Sequence, residues 1–501
     1  MKKILALLLA VVMVLGVFAG CAKSSTEPTT GANTPAPTEG NKEPAATEPA
    51  ATGEVPTLTW YMVGGGQPAN IDSWTEKVNA YLEEKIGAHL NIQCVSWGDW
   101  GDRRTNIVAT NEPYDLMFTD MGSFVNDVRM GAFADISDLI AEVPGLTDLI
   151  PAAYLDACRI DGKLYAVPAY KDSSMTNFFV WTKEYVDEYF PEYADAHTLA
   201  DITDGLKAMK DGKGEAPFLL NKDGISCITG NKYDAMGLGS IGLGVSYHSG
   251  STEIVPVYEQ EDVLNDLRTI HEWFKAGYIN SDAAVRGEAT GMCGVGVAQG
   301  WPGAAQGWGE GRGAEVVVSQ FEDTVLSNDT VQGSMTCISA SSEHKVEALK
   351  LLELVNTDTK MRDMLAYGEE GVNFEYVEED GYTRVNKLNN DWTLAAYTQG
   401  TFFNMSLTTG SVGNPYIDEV KVQNDNAIAS PAMGFVCDTS KIADQMSACQ
   451  AVFAEYKSLL LTGTGDPDQV VPEMMQKMRD SGFDDIQKEV QAQFDAWLAA
   501  K

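Results

Sequence analysis

Metal-ligand signatures are missing from this chain. No C-x-x-C occurs, and none of the five histidines (His89, His197, His248, His271, His344) has a histidine or cysteine three or four residues away. No zinc, and no other metal or cofactor, is therefore expected. Basic residues are scarce: 35 Lys and Arg stand against 72 Asp and Glu, a formal net charge of −37. No basic face for nucleic acid survives that average, and adhesion to anionic lipid is equally excluded. The acidity reads as solubility outside the cell. The nucleophile elbow G-x-S-x-G is absent. The glycines between Gly287 and Gly313 lack the Gly-Lys-Ser/Thr ending of a phosphate loop. GLGSIG at 237–242 matches G-x-G-x-x-G, but CITGNKYDAM before it is no buried strand and no helix pattern follows, so a dinucleotide site is rejected.

Long apolar runs are rare as well. The one that stands out, Ile4 to Gly20, follows Lys2 and Lys3 and ends in Ala19-Gly20-Cys21. At about 1.5 Å per residue it reaches only the lower edge of what spans a ~30 Å hydrocarbon core. Basic start, apolar run and small residues describe a secretion signal. Ala19-Gly20-Cys21 resembles the lipobox of bacterial lipoproteins, which implies that Cys21 receives a lipid such as palmitate and becomes the mature N-terminus. Residues 22–55 hold Pro, Thr, Glu and Ala with no aromatic residue, too little to offset conformational entropy. A flexible tether of roughly 35 Å is expected there. Seven further cysteines (Cys94, Cys158, Cys227, Cys293, Cys337, Cys437, Cys449) cannot all pair internally, and Cys94 and Cys337 lie in apolar runs as small hydrophobes.

The body after the tether suits two or three domains, or one two-lobed unit. LTWYMV reads as a β-rich run of strand length closed by three glycines, LNIQCV as a strand with alternating large apolar residues, and YDLMFTD as a short buried strand. Between the first two strands Trp74, Val78, Tyr81 and Leu82 share a helical face, with a capping-box pattern at Ser73 and Glu76 and a stop at Lys85 and Gly87. A second helix is expected from Asp102. Alternating strands and helices imply a parallel sheet with right-handed crossovers, and such sheets bind ligands beyond the carboxyl ends of their strands. Those ends carry Gly64 to Gln67, Trp97 to Trp100, and Thr119-Asp120. Pro168 marks an extended passage out of the sheet. FFVWTKEYVDEYF opens a second strand–helix series. AEVVVSQF and GSMTCISA are further strands, and a helix starts near Asp358. Ile486, Val490, Phe494, Trp497 and Leu498 form one stripe of a final amphipathic helix.

SWGDWGDRRTNIVATNEPYDLMFTD, DGKLYAVPAYKD and LLELVNTDTKMRDMLAYGEEGVNFEY, taken in order, resemble extracellular solute-binding proteins of ABC importers, family 1, carbohydrate type. SPAMGFVCDTS and the segment from DPDQVVPEMM to FDAW resemble the tail of lipoprotein members from Gram-positive bacteria. The resemblance covers roughly residues 55–500. It implies an α/β, two-lobed, periplasmic-binding-protein-like type II fold with strands crossing a hinge. Mapped here, lobe one takes 56–167 and 322–367, and lobe two takes 168–321 and 368–501, with the tail free to return to lobe one. The implied function is capture of a carbohydrate by a lipid-anchored monomer on the outer face of the membrane, and delivery to permease subunits. Two alternatives stay open: a peptide, amino acid or polyamine as solute, or an exported carbohydrate-active enzyme. For the enzyme, acid pairs such as Glu369-Glu370 and Asp484-Asp485 exist, but acids are so common that pairs arise by chance, and Asp484-Asp485 also reads as a helix start.

A sugar needs aromatic rings for its C–H faces and amides, carboxylates or Arg and Lys for its hydroxyls. In lobe one the candidates are Trp97 and Trp100 as platforms, Asp99 as a hydroxyl acceptor, and Gln67 and Asp120. Each tryptophan could instead be core, and the polar residues could be caps or turn formers. Tyr170, Lys171 and Asp172 follow the first passage into cleft or hinge. Trp301, in GVGVAQGWPGAAQG, resembles the aromatic element with which family members cover solute. Trp392 and Asn404 come from NDWTLAAYTQGTFFNMS; Trp60, inside a strand, reads as core.

Overall fold

The computed structural model describes residues 55–239, 241–289, 291–410 and 415–500. The signal, Cys21 and the tether lie outside the described residues. The chain opens with strand β1 (Thr57–Gly64), helix α1 (Ile71–Ile86), strand β2 (His89–Ser96), helix α2 (Trp97–Thr110), strand β3 (Leu116–Thr119) and helix α3 (Phe124–Arg129). Strand β4 (Ala166–Pro168) precedes β5 (Met175–Thr182), helix α4 (Glu261–Lys275), β6 (Val295–Gln299), α5 (Ala305–Arg312) and β7 (Val316–Leu326). Then come β8 (Met335–Ile338), α6 (Lys345–Thr357), α7 (Thr359–Tyr367), α8 (Pro415–Asp425), β9 (Ile428–Ala429), α9 (Ala443–Leu461), α10 (Pro467–Asp480) and α11 (Phe483–Ala500).

Two sheets and two main apolar cores organise these elements. The first sheet has the order β2-β1-β3-β8-β4, with β1 parallel to β2 and β3, and β8 antiparallel to β3 and β4. β1 is buried on both faces from Trp60 to Gly64, as its unbroken apolar run demands. Helix α1 turns Trp74, Val78 and Leu82 inward and stops at Gly87. There a left-handed φ of 67° lets the Gly87 N–H donate to Leu82 O and Glu83 O, a geometry that suits glycine. The second sheet runs β6-β5-β7-β9. Its core gathers Phe179, Trp181, Leu267, Trp273 and Phe321 with α9 to α11, where Ile486, Val490 and Phe494 are fully buried and Trp497 and Leu498 pack alongside.

Three expectations change. Helix α1 begins before Ser73, with Asn70 as N-cap; Ser73 Oγ donates instead to Glu369 Oε2 at 2.6 Å. Helix α2 begins at Trp97 rather than Asp102, because Ser96 accepts the Asp99 N–H and donates to its carboxylate at 2.6 Å. Residues 368–410, expected in lobe two, pack on lobe one. Gly65 N donates to Thr393 O and Ala395 N to Val63 O, extending the register of β1, and Leu394 joins the first core. The tail helices stay in the second core, although Met433 reaches the first. A strand, Leu243–Ser246, follows the GLGSIG stretch, as its rejection required. Cys94 and Cys337 are buried, and burial pushes the Cys94 thiol up to about 11.

Candidate functional site

Register fixes where the two lobes join. Met335 at the start of β8 pairs with Thr119 and Pro168, and Gly64 pairs with Ser96. The carboxyl ends of β1 to β4 therefore share one edge, from which the chain leaves after Pro168 and to which it returns at Met335. In the second sheet Met175 pairs with Val325, Asn177 with Gln299, and Val325 with Ile428. The start of β5 and the ends of β6 and β7 thus share the edge at which the same passages arrive. Side chains on these two edges stand where the lobes meet.

On the first edge Trp97 follows β2 directly. Its ring stacks on Tyr397, with centroids 6.1 Å apart and planes 7° from parallel, and stands edge-on to Phe118 at 5.7 Å. The two rings remain 45% and 46% exposed. Exposed rings held rigidly and nearly parallel make an apolar shelf that the C–H face of a sugar could cover. Tyr397 was not among the sequence candidates. It comes from the same NDWTLAAYTQG stretch as Trp392, but only the return of that stretch to β1 brings it to Trp97. Buried polar bonds hold the stretch in place. The Arg362 guanidinium donates to Thr401 O (2.8 Å), Gln399 Oε1 (2.9 Å) and Ala396 O (2.8 Å), and Asn356 Oδ1 accepts the Thr401 N–H (2.9 Å). Burial lowers the Arg362 pKa to about 10, which still leaves it charged at neutral pH.

The other lobe-one candidates serve the framework. Trp100 is core, packed on Phe118 at 5.8 Å. Asp99 completes the cap of α2. Gln67 bonds along β2, donating to Ile92 O (2.9 Å) and accepting from Cys94 N (2.7 Å). Asp120 accepts the Gly122 N–H at 3.0 Å in the turn before α3. Trp392 donates its indole N–H to Leu365 O and packs on Trp74, with centroids 5.1 Å apart. Asn404 donates to Val355 O at 3.3 Å, while its Oδ1 is buried without a hydrogen-bond partner among the described residues. Trp60 is core.

The passage residues divide. Tyr170 is buried against Tyr154 and Phe403 and offers no free ring face; burial raises its pKa, with the charge of Asp425 adding. Lys171 and Asp172 pair with each other at 3.1 Å, half-buried. Asn424 of α8 ties this passage, donating to Lys171 O and accepting from Ser174 Oγ at 2.8 Å. Its neighbour Gln423 donates to Gly300 O at 3.1 Å, beside Trp301. Trp301 is half-buried directly beyond the end of β6, where Gly300 N donates to Thr176 O. Gln423 and Asn424 carried no signal in sequence, since both read as ordinary helix-surface amides.

A cavity of about 320 Å³ also spans the junction. Met121, Gly122 and Asn126 of lobe one face Gly237 and Leu238 of lobe two, with Asp329 of the return passage between them. Burial raises the Asp329 pKa. Burial, joined by the charge of Asp329, pushes nearby Asp234 up to about 6; one of its carboxylate oxygens has no hydrogen-bond partner among the described residues. Among the described residues no group of three or more His, Cys, Asp or Glu could hold a metal ion.

Comparison with known proteins agrees with this architecture. A family model described as Bacterial extracellular solute-binding protein matches residues 76–387, and a domain of unknown function (DUF3502) matches 431–499. A "Carbohydrate ABC transporter substrate-binding protein" of Streptococcus pneumoniae serotype 4 is 26% identical over 492 residues, which cover 92% of this chain and 95% of that protein. The crystal structure of the N-glycan transport solute binding protein NgtS from Streptococcus pneumoniae is similar with a TM-score of 0.75 at 25% identity, covering 89% of this chain and 99% of the other. Its complex with Man1GlcNAc gives a TM-score of 0.64 at 25% identity, over 89% and 100% of the two chains. The fold is thus the two-lobed, type II periplasmic-binding-protein-like one, and with the family match running through both lobes and their passages, the chain belongs to the bacterial extracellular solute-binding proteins.

Proposed function

We propose that the protein captures an oligosaccharide between its lobes and delivers it unchanged to the permease subunits of an ABC importer. A lipid on Cys21 and the tether that follows hold it, as a monomer, at the outer face of the membrane. The observation that carries the sugar reading is the stacked, half-exposed pair Trp97 and Tyr397 on the lobe-one edge, with Trp301 on the lobe-two edge. Rings rigidly presented to solvent suit the C–H faces of pyranoses, and amides such as Gln423 suit hydroxyls. The relatives named for carbohydrate transport, and the mannose- and GlcNAc-containing ligand of the similar structure, point the same way.

Closure supplies the signal to the importer. A solute touching both lobes favours the closed state only by its differential affinity for that state. Isothermal titration over a panel of manno- and GlcNAc-containing oligosaccharides, with peptides as controls, tests the assignment. Stoichiometric sugar binding without product is expected; binding of peptides alone, or catalytic release of sugar, refutes it. Small-angle scattering of the W97A/W301A variant tests closure: a folded variant that still compacts at saturating sugar removes these two rings from the mechanism.

A further inference from the structure

Lobe two holds a second cavity, of about 470 Å³, away from the aromatic shelf. It lies between β6, helix α5 and the loops around Leu219 and Gly291. Three features of its wall need explaining together.

The first is Arg312. Its Nη1 donates to Val180 O (2.8 Å) and Thr182 Oγ1 (3.3 Å), which fixes the guanidinium in the cavity wall. Among the described residues every other arginine but Arg362 has a carboxylate within 4.0 Å. Arg362 has its fork filled by three oxygens. Arg312 has neither, in a chain with twice as many acids as bases. Gly296 admits its other terminal nitrogen, since a Cβ there would sit 3.0 Å from Nη2.

The second is a pair of glycines. Gly307 and Gly311 stand one turn apart on α5, and both line the cavity. Glycine is among the poorest helix formers, so a helical glycine ordinarily marks close packing or a close approach. Neither has a packing reason here, because among the described residues an added Cβ would meet nothing within 4 Å. The third is Trp308, also in the wall, whose ring is braced by Phe178 with centroids 6.1 Å apart and by Gly300, where a Cβ would approach it to 2.8 Å.

We propose that this cavity is a second binding site, taking a small ring that bears a carboxylate, that is, a sugar acid unit. Arg312 meets the carboxylate through its planar fork, Trp308 offers an apolar wall to the ring, and the bare backbone at Gly307 and Gly311 leaves room for the ring to lie against the helix. The site is independent of the oligosaccharide reading, since none of these residues belongs to the aromatic shelf.

D-glucuronate is the probe, with D-glucose as the uncharged control, followed by NMR titration of the whole mature protein. Saturable, millimolar binding of glucuronate is expected, at least tenfold tighter than glucose. R312Q should abolish it. G311L should abolish it too, by filling the cavity while keeping or raising the melting temperature, because the added side chain meets open space and leucine favours helix. W97A should leave it unchanged. No saturable binding to the wild type, equal binding of glucose, or undiminished binding by G311L overturns the proposal. So does binding lost in W97A and retained in R312Q, which would move the probe to the other site.

Discussion

Replacing Arg362 by methionine tests how the aromatic shelf is held. The guanidinium is fully buried and donates to two backbone carbonyls and one amide oxygen, all in residues 396–401. Methionine fills much of the volume but leaves three acceptors without a donor. Each orphaned buried acceptor costs about 1–3 kcal/mol, and carbonyls with a second lone pair fall at the low end. Relief of a buried charge returns part of this, so a net loss of about 3 kcal/mol is expected, within the usual cost of breaking a buried charged network. Burial lowers the folded-state pKa to about 10, so the side chain is protonated throughout pH 5–9 and the loss should not vary across that range. Equilibrium unfolding in urea at pH 5, 7 and 9, followed by tryptophan fluorescence, measures it. Because the same bonds fix the segment that carries Tyr397, sugar affinity should fall as well. A variant with the wild-type urea midpoint, or with a loss that changes severalfold between pH 5 and 9, would show that these bonds do not hold the segment.

Three further outcomes can be measured. Trp97→Ala removes a side chain that is 45% exposed; at ~25 cal/mol per Å² over roughly 80 Å² of ring face, sugar affinity should drop by about 2 kcal/mol, or ~30-fold by calorimetry, with little change in melting temperature. For Asp234, burial puts the folded pKa at about 6, above its unfolded value, so its contribution is fully present below about pH 4 and is lost as pH rises through about 6. Asp234→Asn should therefore stabilise the protein at pH 7 by up to about 3 kcal/mol and flatten stability between pH 4 and 6; an unchanged slope in the urea series contradicts this. Glu369 is buried and bonded by Lys77, Ser73 and Asn70; burial opposes ionisation, but these donors outweigh it and lower the pKa. Glu369→Gln should cost about 2 kcal/mol at pH 7, and less as the pH falls through the lowered folded-state pKa and the wild-type carboxylate itself takes up a proton.

Strands and helices with local, periodic burial were legible in sequence. β1 and β3 announced themselves by unbroken apolar runs, α1 by its inward stripe, α7 by Asp358, whose side chain accepts the Met361 N–H, and α11 by Ile486, Val490 and Phe494. The start of α2 was hidden by Gly98 and Gly101, although Ser96 and Asp99 already spelled its cap. Residues 368–410 misled because sequence order carries no mark of which sheet a returning segment joins. The same blindness hid Tyr397 and Arg362: the arginine looks like surface charge in KMRDML, yet its acceptors lie 34 to 39 residues further on. Of the residues proposed to touch solute, Trp97 and Trp301 stand at the junction, whereas Trp100, Asp99 and Gln67 proved to be doing the work of a core, a cap and an edge.

The order β2-β1-β3-β8-β4 has a consequence for how the molecule comes into being. Strand β8 lies between β3 and β4, yet it is made about 170 residues after β4. A chain emerging N-terminus first must therefore wait, with the flank of β3 unzipped and sticky, until the long first segment of lobe two, between β4 and β8, has been synthesised. Such long-range closure is slow, and the open flank is a natural target for chaperones or for mispairing between nascent chains. Neither lobe can be produced alone by truncation; a working half would need β8 spliced in beside β3 by circular rearrangement.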